Sequence, residues 1–347
     1  MKKSILLLIG VFTLTFSAKA QDGFENIFLA DVADSKKILQ AYFAPGMEGF
    51  ITSMNSGWAH TAKVYKTLGF GISIGASGAF IKSEKELFNI NALGLTSVTS
   101  TSPTASTIGG PSTSTTMTIN TTIDTPIGPQ AGSTNIQFPG GVDLLYNAVP
   151  APIAQLNVGT PWKMDVMLRF IPKIKIGEND NSVNMLGLGL KKEITSWFGP
   201  IENIPLHVSL LAAYTTMDVN YRINDQNSGE LLVQNALTTF NLKAFTVQAI
   251  ASLNFPVINL YGGIGYNTGS STFNIDGTFT GVYATGFPPP NATVTKPLAV
   301  PSNLDFESRG FRTTLGARLS LGFFNFFTDV TLQEYPTLSG GFAFDIQ

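Results

Sequence analysis

The stretch WKMDVMLRFIPKIKI, residues 162–176, alternates between two kinds of side chain. Its even-numbered positions, from Trp162 to Ile176, are all apolar, and most of its odd-numbered positions, from Lys163 to Lys175, are charged. Because successive side chains of a strand point to opposite faces, this pattern predicts a strand with one apolar and one charged face. A tilted strand of ~9 to 11 residues already crosses the hydrocarbon layer of a bilayer. The stretch therefore predicts one strand of a transmembrane β-barrel, with lipid on its apolar side and the lumen on its charged side.

Similar alternation recurs along the chain, and the segments between the alternating stretches differ in length. A long outer loop is predicted at 83–142 and further outer loops at 177–182, 223–235 and 283–303. Periplasmic connections are predicted at 159–161, 194–204 and 255–256. Outer-membrane barrels have short periplasmic turns and longer outer loops, so this order predicts ten antiparallel strands with both termini in the periplasm. It requires residues 257–283 to form one strand that extends past the membrane. A count of 12–14 follows if short apolar segments of the first loop also pair within the membrane.

The amino-terminal part of the chain differs from the rest. Residues 1–20 begin with Lys2 and Lys3, continue with an apolar run and end in Ala-Lys-Ala, a pattern that predicts a secretory signal peptide. Residues 21–60 are predicted to form a helical plug or cap, because apolar residues fall at helical spacing and Pro45 suits the first turn of a second short helix. Residues 61–347 are then the barrel.

Composition narrows the functional classes. Charged residues make up 13% of the chain, against about 25% in ordinary soluble domains. Cysteine is absent and only His60 and His207 are histidines, so thiol chemistry and a histidine metal site are not expected. A net charge of -2 indicates no nucleic-acid partner. We expect no enzyme and no cofactor.

The segment 96–134 is unusually rich in hydroxyl side chains. Twenty of its 39 residues are Ser or Thr, and Asp124 is its only charge. A tract with so few large apolar groups is not expected to bury a core, so we expect a mobile outer loop. Such a loop offers a surface for adhesion, phage or glycan attachment, or is merely a variable solvated segment.

The inward positions of the predicted strands carry candidate binding residues. A cationic lumen attracts anionic solutes or organises the plug, although charged lumen rows also keep a barrel interior hydrated. Pro172 cannot donate to the ladder and predicts a bulge. Trp58, His60 and Lys63 mark the junction of plug and barrel. The lumen candidates are Lys163, Asp165, Arg169, Lys173, Lys175, Arg312, Arg318 and His207.

Several short motifs carry a resemblance to a known group of proteins. They are Gly57 and Trp58 with the nearby TAK at 61–63, PGG at 139–141, FIPKIKIG at 170–177 and LGLGLKKEI at 186–194. Together they resemble a family of Bacteroidota outer-membrane proteins of unknown function, over residues 29–346. That family is distantly similar to FadL-type channels, which have an amino-terminal hatch and a fourteen-stranded barrel. The hatch motif of FadL is absent from this chain, so the resemblance implies neither fatty-acid cargo nor the FadL binding residues.

These observations favour an outer-membrane barrel, plugged at its amino end, that passes or holds a small amphipathic or hydrophobic solute. The alternative is a structural or surface-interaction barrel that displays its outer loops. The expected partners are outer-membrane lipid, a small solute and, during insertion, the barrel-assembly machinery.

Overall fold

A computed structural model describes residues 23–125, 128–176, 181–199, 204–227, 230–284 and 293–346 of the protein. The predicted signal peptide lies outside these ranges. Ten long strands dominate the described residues. They are β1 (Phe70–Phe80), β2 (Ala148–Thr160), β3 (Met164–Ile176), β4 (Asn181–Glu193), β5 (Leu206–Arg222), β6 (Leu231–Asn254), β7 (Ile258–Ala284), β8 (Leu304–Leu321), β9 (Phe324–Leu332) and β10 (Thr337–Ile346).

The ten strands form a closed antiparallel ring. Each strand pairs with the next along the chain, and β10 pairs with β1 from the Phe70–Ile346 register position to Ala79–Thr337. Closure leaves neither β1 nor β10 with an unpaired edge. The prediction of an antiparallel barrel of about ten strands is confirmed.

The two ends of the barrel differ. The connections at 161–163, 255–257 and 322–323 are short and lie at one end, which we call the turn end. The turn end also carries the longer link at 194–205. The opposite end, the loop end, carries residues 81–147 and the connections at 177–180, 223–230, 285–303 and 333–336. The outward side chains next to the turn end form an apolar belt, in which Phe311 exposes 83% of its surface and Ile264 exposes 66%. Such a continuous row of exposed apolar side chains is typical of a barrel surface that faces lipid. No helix in the described ranges is long and apolar enough to cross a bilayer.

Among the described residues, one α-helix, α1 (Val32–Met54), occupies the lumen after a short 3-10 helix at Phe24–Leu29. It contacts β1, β2, β6, β7 and β8, which lie on different sides of the ring. The predicted second helix starting at Pro45 was wrong, because Pro45 lies inside α1 and is buried there. Close packing allows this helix to continue: a side chain at Gly49 would collide with Val149 of β2. Tertiary packing thus overrides the helix-breaking tendency of proline.

The chain threads the lumen from the loop end towards the turn end. The ring of Phe28 lies 4.9 Å from that of Phe279, close to the loop end of β7. Residues 55–69 then run through the lumen, and the amide of Leu68 donates to the carbonyl of Gly159 at the turn end. The ring begins at Phe70 and ends at Ile346, both at the turn end, as an even number of strands requires. Gly23, where the described plug begins, lies at the loop end instead. We call residues 23–69 the plug.

The loop end carries a hydrophobic core of its own. The Ser/Thr-rich tract forms a hairpin, Thr115–Thr125 with Gly128–Phe138, and Val98–Ser100 pairs with its first strand. Other short strands there are Leu87–Asn89, Thr104–Ser106, Gln226–Asn227 and Thr293–Pro297. The expectation that this tract buries no core was wrong. A few apolar residues at every second position suffice, because α1 and the strand ends supply the rest of the core; the buried members from the hairpin are Met117, Ile119, Ile136 and Phe138. We call this loop-end unit the cap.

Candidate functional site: the lumen and its plug

Arg169 of β3 holds the carboxyl end of α1. Its side chain is fully buried, and its guanidinium donates to the backbone carbonyls of Met54 at 3.1 Å and of Ser56 at 3.2 Å. The last carbonyls of a helix lack partners within the helix and carry a partial negative charge, so a cation binds well there. Gln155 of β2 accepts two further bonds from the same guanidinium. Arg169 thus binds the plug backbone, which leaves it no exposed surface for a solute.

Arg312 of β8 reaches the same helix end from another part of the wall. Its Nη1 donates to the carbonyl of Asn55 at 2.6 Å, and its Nη2 donates to Thr314 and Thr331. Together, the two arginines therefore bind the carbonyls of three consecutive plug residues, 54 to 56. We call Arg169 and Arg312 the arginine clasp.

Trp58 fills the lumen just beyond the clasp. Its ring stacks under Arg169, with the guanidinium carbon 4.1 Å from the ring centroid, and only 1% of the residue is exposed. A Cβ at Gly187 or Gly189 of β4 would lie 3.0 Å from the indole. The two inward positions of the LGLGL motif are therefore glycine, because the indole occupies the space that a side chain would need.

His60 and Arg318 belong to one buried network near the turn end. Arg318 donates to Nδ1 of His60 at 3.0 Å, so the ring proton lies on Nε2, which donates to Ser73 at 3.3 Å. Arg318 also forms an ion pair with Asp345 of β10. Tyr65 of the plug donates to the same carboxylate at 2.6 Å. The network joins the plug to β1, β8 and β10.

Asp165 and Lys191 form a second connection between the wall and the plug. They face each other across β3 and β4, and their ion pair measures 3.0 Å. Asp165 accepts the backbone amide of Tyr65, and Lys191 donates to the carbonyls of Thr61 and Lys63. The backbone of the plug is thus held by one anion and one cation at the same level.

His207 lies half-buried at the turn end and pairs with Glu193, whose carboxylate is 2.9 Å from Nδ1. Ser209, on the same strand, donates instead to the carbonyl of Ala62 in the plug. The two side chains therefore hold different partners. Glu193 also accepts the amide of Val64 in the plug and the hydroxyl of Thr195, so this group connects the plug and the start of the link after β4 to the barrel wall.

Lys63 borders a cavity of about 580 Å³ that opens at the turn end. Its side chain is exposed. Arg318, Asp345 and Tyr65 form part of the cavity wall, together with apolar residues such as Phe255 of the turn. This cavity thus borders the plug where the chain leaves the lumen.

Three predicted lumen residues do not face the lumen. Lys163 is exposed in the β2–β3 turn with a φ of 51°, because β3 begins only at Met164. The bulge predicted from Pro172 shifts the pairing of β3 between Ile171 and Ile174. This extra residue reverses the alternation, so Ile174 packs inward while Lys173 and Lys175 are exposed.

Two groups of polar contacts hold α1 at the loop end. Asp34 accepts the amides of Thr96 at 2.8 Å and Ser97 at 2.6 Å. Burial alone would raise the pKa of Asp34, but these bonds, the Ser97 hydroxyl and nearby Lys37 together lower it below its ordinary value. Lys85 donates to Glu48 of α1 at 3.0 Å. These contacts attach α1 to the first loop.

The sequence alone did not single out several residues of the lumen network. Four of them lie on the barrel wall and contact the plug: Gln155, Lys191, Glu193 and Asp345. The fifth, Tyr65, lies in the plug and donates to Asp345. The signal for the first four was their position on the inward face of a strand. What they bind depends on the path of residues 55–69, which has no periodic pattern of its own.

The closed ring and its filled lumen define this protein as a plugged antiparallel β-barrel. The chain belongs to a family of unknown function, DUF6588, whose pattern matches residues 1–346. No curated protein matches the chain.

Several solved barrels show a limited structural similarity. Ail of Yersinia pestis, in complex with the heparin analogue sucrose octasulfate, shares 8% identity over 80% of this chain and 99% of its own, with a TM-score of 0.27. The translocator domain of the autotransporter NalP from Neisseria meningitidis shares 10% over 82% and 90%, with a TM-score of 0.32. A Rhodopseudomonas blastica porin mutant shares 10% over 80% and 98%, with a TM-score of 0.14. The strand pairing itself defines the barrel.

Proposed function

We propose that this protein is an outer-membrane β-barrel of a Gram-negative bacterium that presents a folded cap at the cell surface and acts there as a surface-interaction protein, without catalysis. The observation that carries the proposal is the position of the largest hydrophobic core, which lies in the cap beyond the apolar belt. Kinship with Bacteroidota outer-membrane proteins, and more distantly with FadL-type channels, is part of this proposal. Outer-membrane lipid and the assembly machinery are its expected partners.

The asymmetry of the two barrel ends supports this orientation. Three turn-end connections have only two or three residues, whereas the long segment 81–147 lies at the loop end. Outer-membrane barrels carry their longest loops on the cell exterior. The cap would then stand in the external medium, where loops serve as binding surfaces.

The filled lumen favours display over free passage. Three buried clusters follow one another along the plug: the cap core, a middle cluster around Ile51 and Met54, and a third around Trp58. Side chains of α1 belong to the first two clusters. Withdrawing the helix would therefore expose part of the cap core, which makes the plug a structural part of the displayed surface.

The outer hairpin is the first element to test for binding. We expect a variant in which residues 122–131 are replaced by two glycines to lose most binding of the protein to a glycan and mucin array. The buried hairpin residues Met117, Ile119, Ile136 and Phe138 stay in place, so the cap core is retained. Detergent-purified wild-type protein and the variant would be compared after both show the heat-modifiable gel mobility of a folded barrel. Equal binding by the two proteins would contradict a role for the hairpin.

The second candidate is a barrel that holds or passes a small amphipathic solute. The observation that favours it is the turn-end cavity of about 580 Å³, which has both charged and apolar walls. Passage would require the plug to shift away from the arginine clasp.

The clasp offers a direct test of passage. In planar bilayers we expect the double variant Arg169→Met/Arg312→Met to raise conductance at least severalfold over the wild type, because both cations that bind the carbonyls of residues 54–56 are removed. Arg222→Met, an exposed arginine at the loop end of β5, is the matched control and should leave conductance unchanged. A double variant that folds and is as inert as the wild type would argue against a gated channel.

A further inference from the structure

A groove lies on the outside of the barrel where the apolar belt meets the polar surface of the cap. It encloses about 340 Å³ and is formed by β5, β6, β7 and β8. Tyr214 and Phe245 line its belt side. Lys243, Ser270 and Arg309 line its cap side, together with Glu307.

The two cations of this groove are available to a ligand. Lys243 and Arg309 are both exposed, and neither forms an ion pair or hydrogen bond with another side chain among the described residues. In the arginine clasp, by contrast, each guanidinium is buried and bonded to the plug. Side-chain contacts within the described part of the protein therefore do not explain why Lys243 and Arg309 lie at these positions.

The strand register places hydroxyl groups between the two cations. Lys243 of β6 is paired with Ser270 of β7, and Arg309 of β8 is paired with Thr268 of β7. Neighbouring strands lie about 4.8 Å apart, so both cations flank the same short stretch of β7 from opposite sides. Ammonium, guanidinium and hydroxyl groups are donors that bind phosphate oxygens.

We propose that this groove binds the phosphorylated headgroup of an outer-leaflet glycolipid. Lys243 and Arg309 donate to the phosphate, and the acyl chains lie along Tyr214, Phe245 and the belt below. The Glu307 carboxylate accepts from hydroxyl or amino groups of the sugar. The proposal rests on the proposed function, since the belt must lie in a bilayer. Free phosphate has no apolar part to fill the belt side, so the lipid is the occupant that fits both sides.

The test uses the full chain, purified in a non-ionic detergent and titrated with diphosphorylated lipid A, with bound lipid counted by native mass spectrometry. We expect Lys243→Gln/Arg309→Gln to weaken binding by about tenfold or more, since a cation near an anionic lipid surface contributes ~1 kcal/mol. Glu307→Gln should strengthen binding of the phosphorylated lipid, because it removes the negative charge that lines the groove while the amide oxygen can still accept from the sugar. Lys296→Gln, an exposed cation outside the groove, is the matched control and should bind like the wild type.

Two further arms separate the sources of phosphate and the causes of failure. Dephosphorylated lipid A should bind the wild type about as weakly as the double variant binds the phosphorylated lipid. Equal binding of both lipids, or competition by inorganic phosphate at millimolar concentration, would overturn the lipid-phosphate site. Insertion of the same protein into phosphatidylcholine vesicles is measured in parallel. Loss of insertion contradicts the outer-membrane proposal itself, whereas normal insertion without lipid discrimination contradicts only this groove.

Discussion

The two halves of β7 show opposite polarity within one uninterrupted strand. Near the turn end its outward residues include Ile258, Leu260 and Ile264, and its inward residues include Asn259 and Asn267. Beyond position 267 the outward residues are mainly hydroxyl or carboxylate side chains, whereas the inward ones include Phe273, Ile275 and Phe279, all buried in the cap core. Pairing with β6 and β8 continues through this change without a register shift near Gly269.

This reversal shows that the solvent on each side decides which face of a strand is apolar. In the proposed orientation, lipid solvates the outside of the belt, and the plug backbone requires polar partners inside. In the cap, water surrounds the outside and the apolar side chains turn inward, as in a soluble domain. Both halves have the same backbone geometry, because side chains alternate between the two faces of a strand whichever face is apolar.

The opposite ends of the chain give the largest expected contrast. We expect an epitope inserted between residues 22 and 23 to be labelled by antibody on intact cells, because Gly23 lies at the loop end. An epitope attached after residue 347 should be labelled only after the outer membrane is permeabilised, because β10 ends at the turn end. Labelling of the amino-terminal epitope only after permeabilisation would contradict the threading direction.

The cap core should depend strongly on one aromatic stack. Phe273 is fully buried, and its ring stacks on that of Phe240 with 4.5 Å between centroids. We expect Phe273→Ala to reduce the free energy of local unfolding in the cap by about 3–5 kcal/mol, as for other large-to-small core substitutions. Hydrogen exchange resolved by mass spectrometry measures this in cap peptides and belt peptides separately. Phe311→Ala, on the outside of the belt, should leave exchange in the cap unchanged.

The belt should reject a charge that the cap accepts. We expect Ile264→Arg, in the lipid-facing part of β7, to destabilise the inserted barrel by about 2–4 kcal/mol. Thr278→Arg, outward on the same strand but within the cap, should change stability by less than about 0.5 kcal/mol. Urea titration of both variants in phosphatidylcholine vesicles provides the comparison. Similar losses at the two positions would show that lipid does not surround residue 264.

The smallest effect is expected at the amino end of α1. The folded-state pKa of Asp34 lies below its unfolded value, so its contribution to stability is present above about pH 4 and is lost as the pH falls through the folded value. We expect Asp34→Asn to cost about 1 kcal/mol at pH 7 and to flatten the acid side of the stability curve of the cap. Asp31→Asn, exposed beside it, is the control. An unchanged acid transition in Asp34→Asn would contradict the role of this carboxylate.

Much of the barrel could be read from local patterns. Alternation in β3, β4 and β6 predicted strands, connection lengths predicted their order, and Pro172 predicted the bulge. The bulge also limited the prediction: one inserted residue reverses the faces beyond it, so Lys173 and Lys175 could not be assigned to the lumen by counting from Trp162.

The lumen site was predictable only in part. The sequence predicted that three arginines face inward, because each lies on the strand face opposite to a row of apolar residues. They are Arg169, Arg312 and Arg318. Their ligands were not predicted, since Arg169 binds a carbonyl 113 residues away in sequence and Arg312 one 257 residues away. A contact of that range leaves no local periodicity from which it could be inferred.

By itself the sequence determined that this chain forms a barrel of alternating strands with a helical amino-terminal segment, since side-chain periodicity is a local property of the backbone. Only the tertiary structure decided that the helix enters from the loop end, that it shares a core with the Ser/Thr-rich hairpin, and that the lumen arginines bind its last carbonyls. The physical reason is that packing and hydrogen bonding join whichever groups the closed ring brings together, and the closure of the ring depends on all ten strands at once.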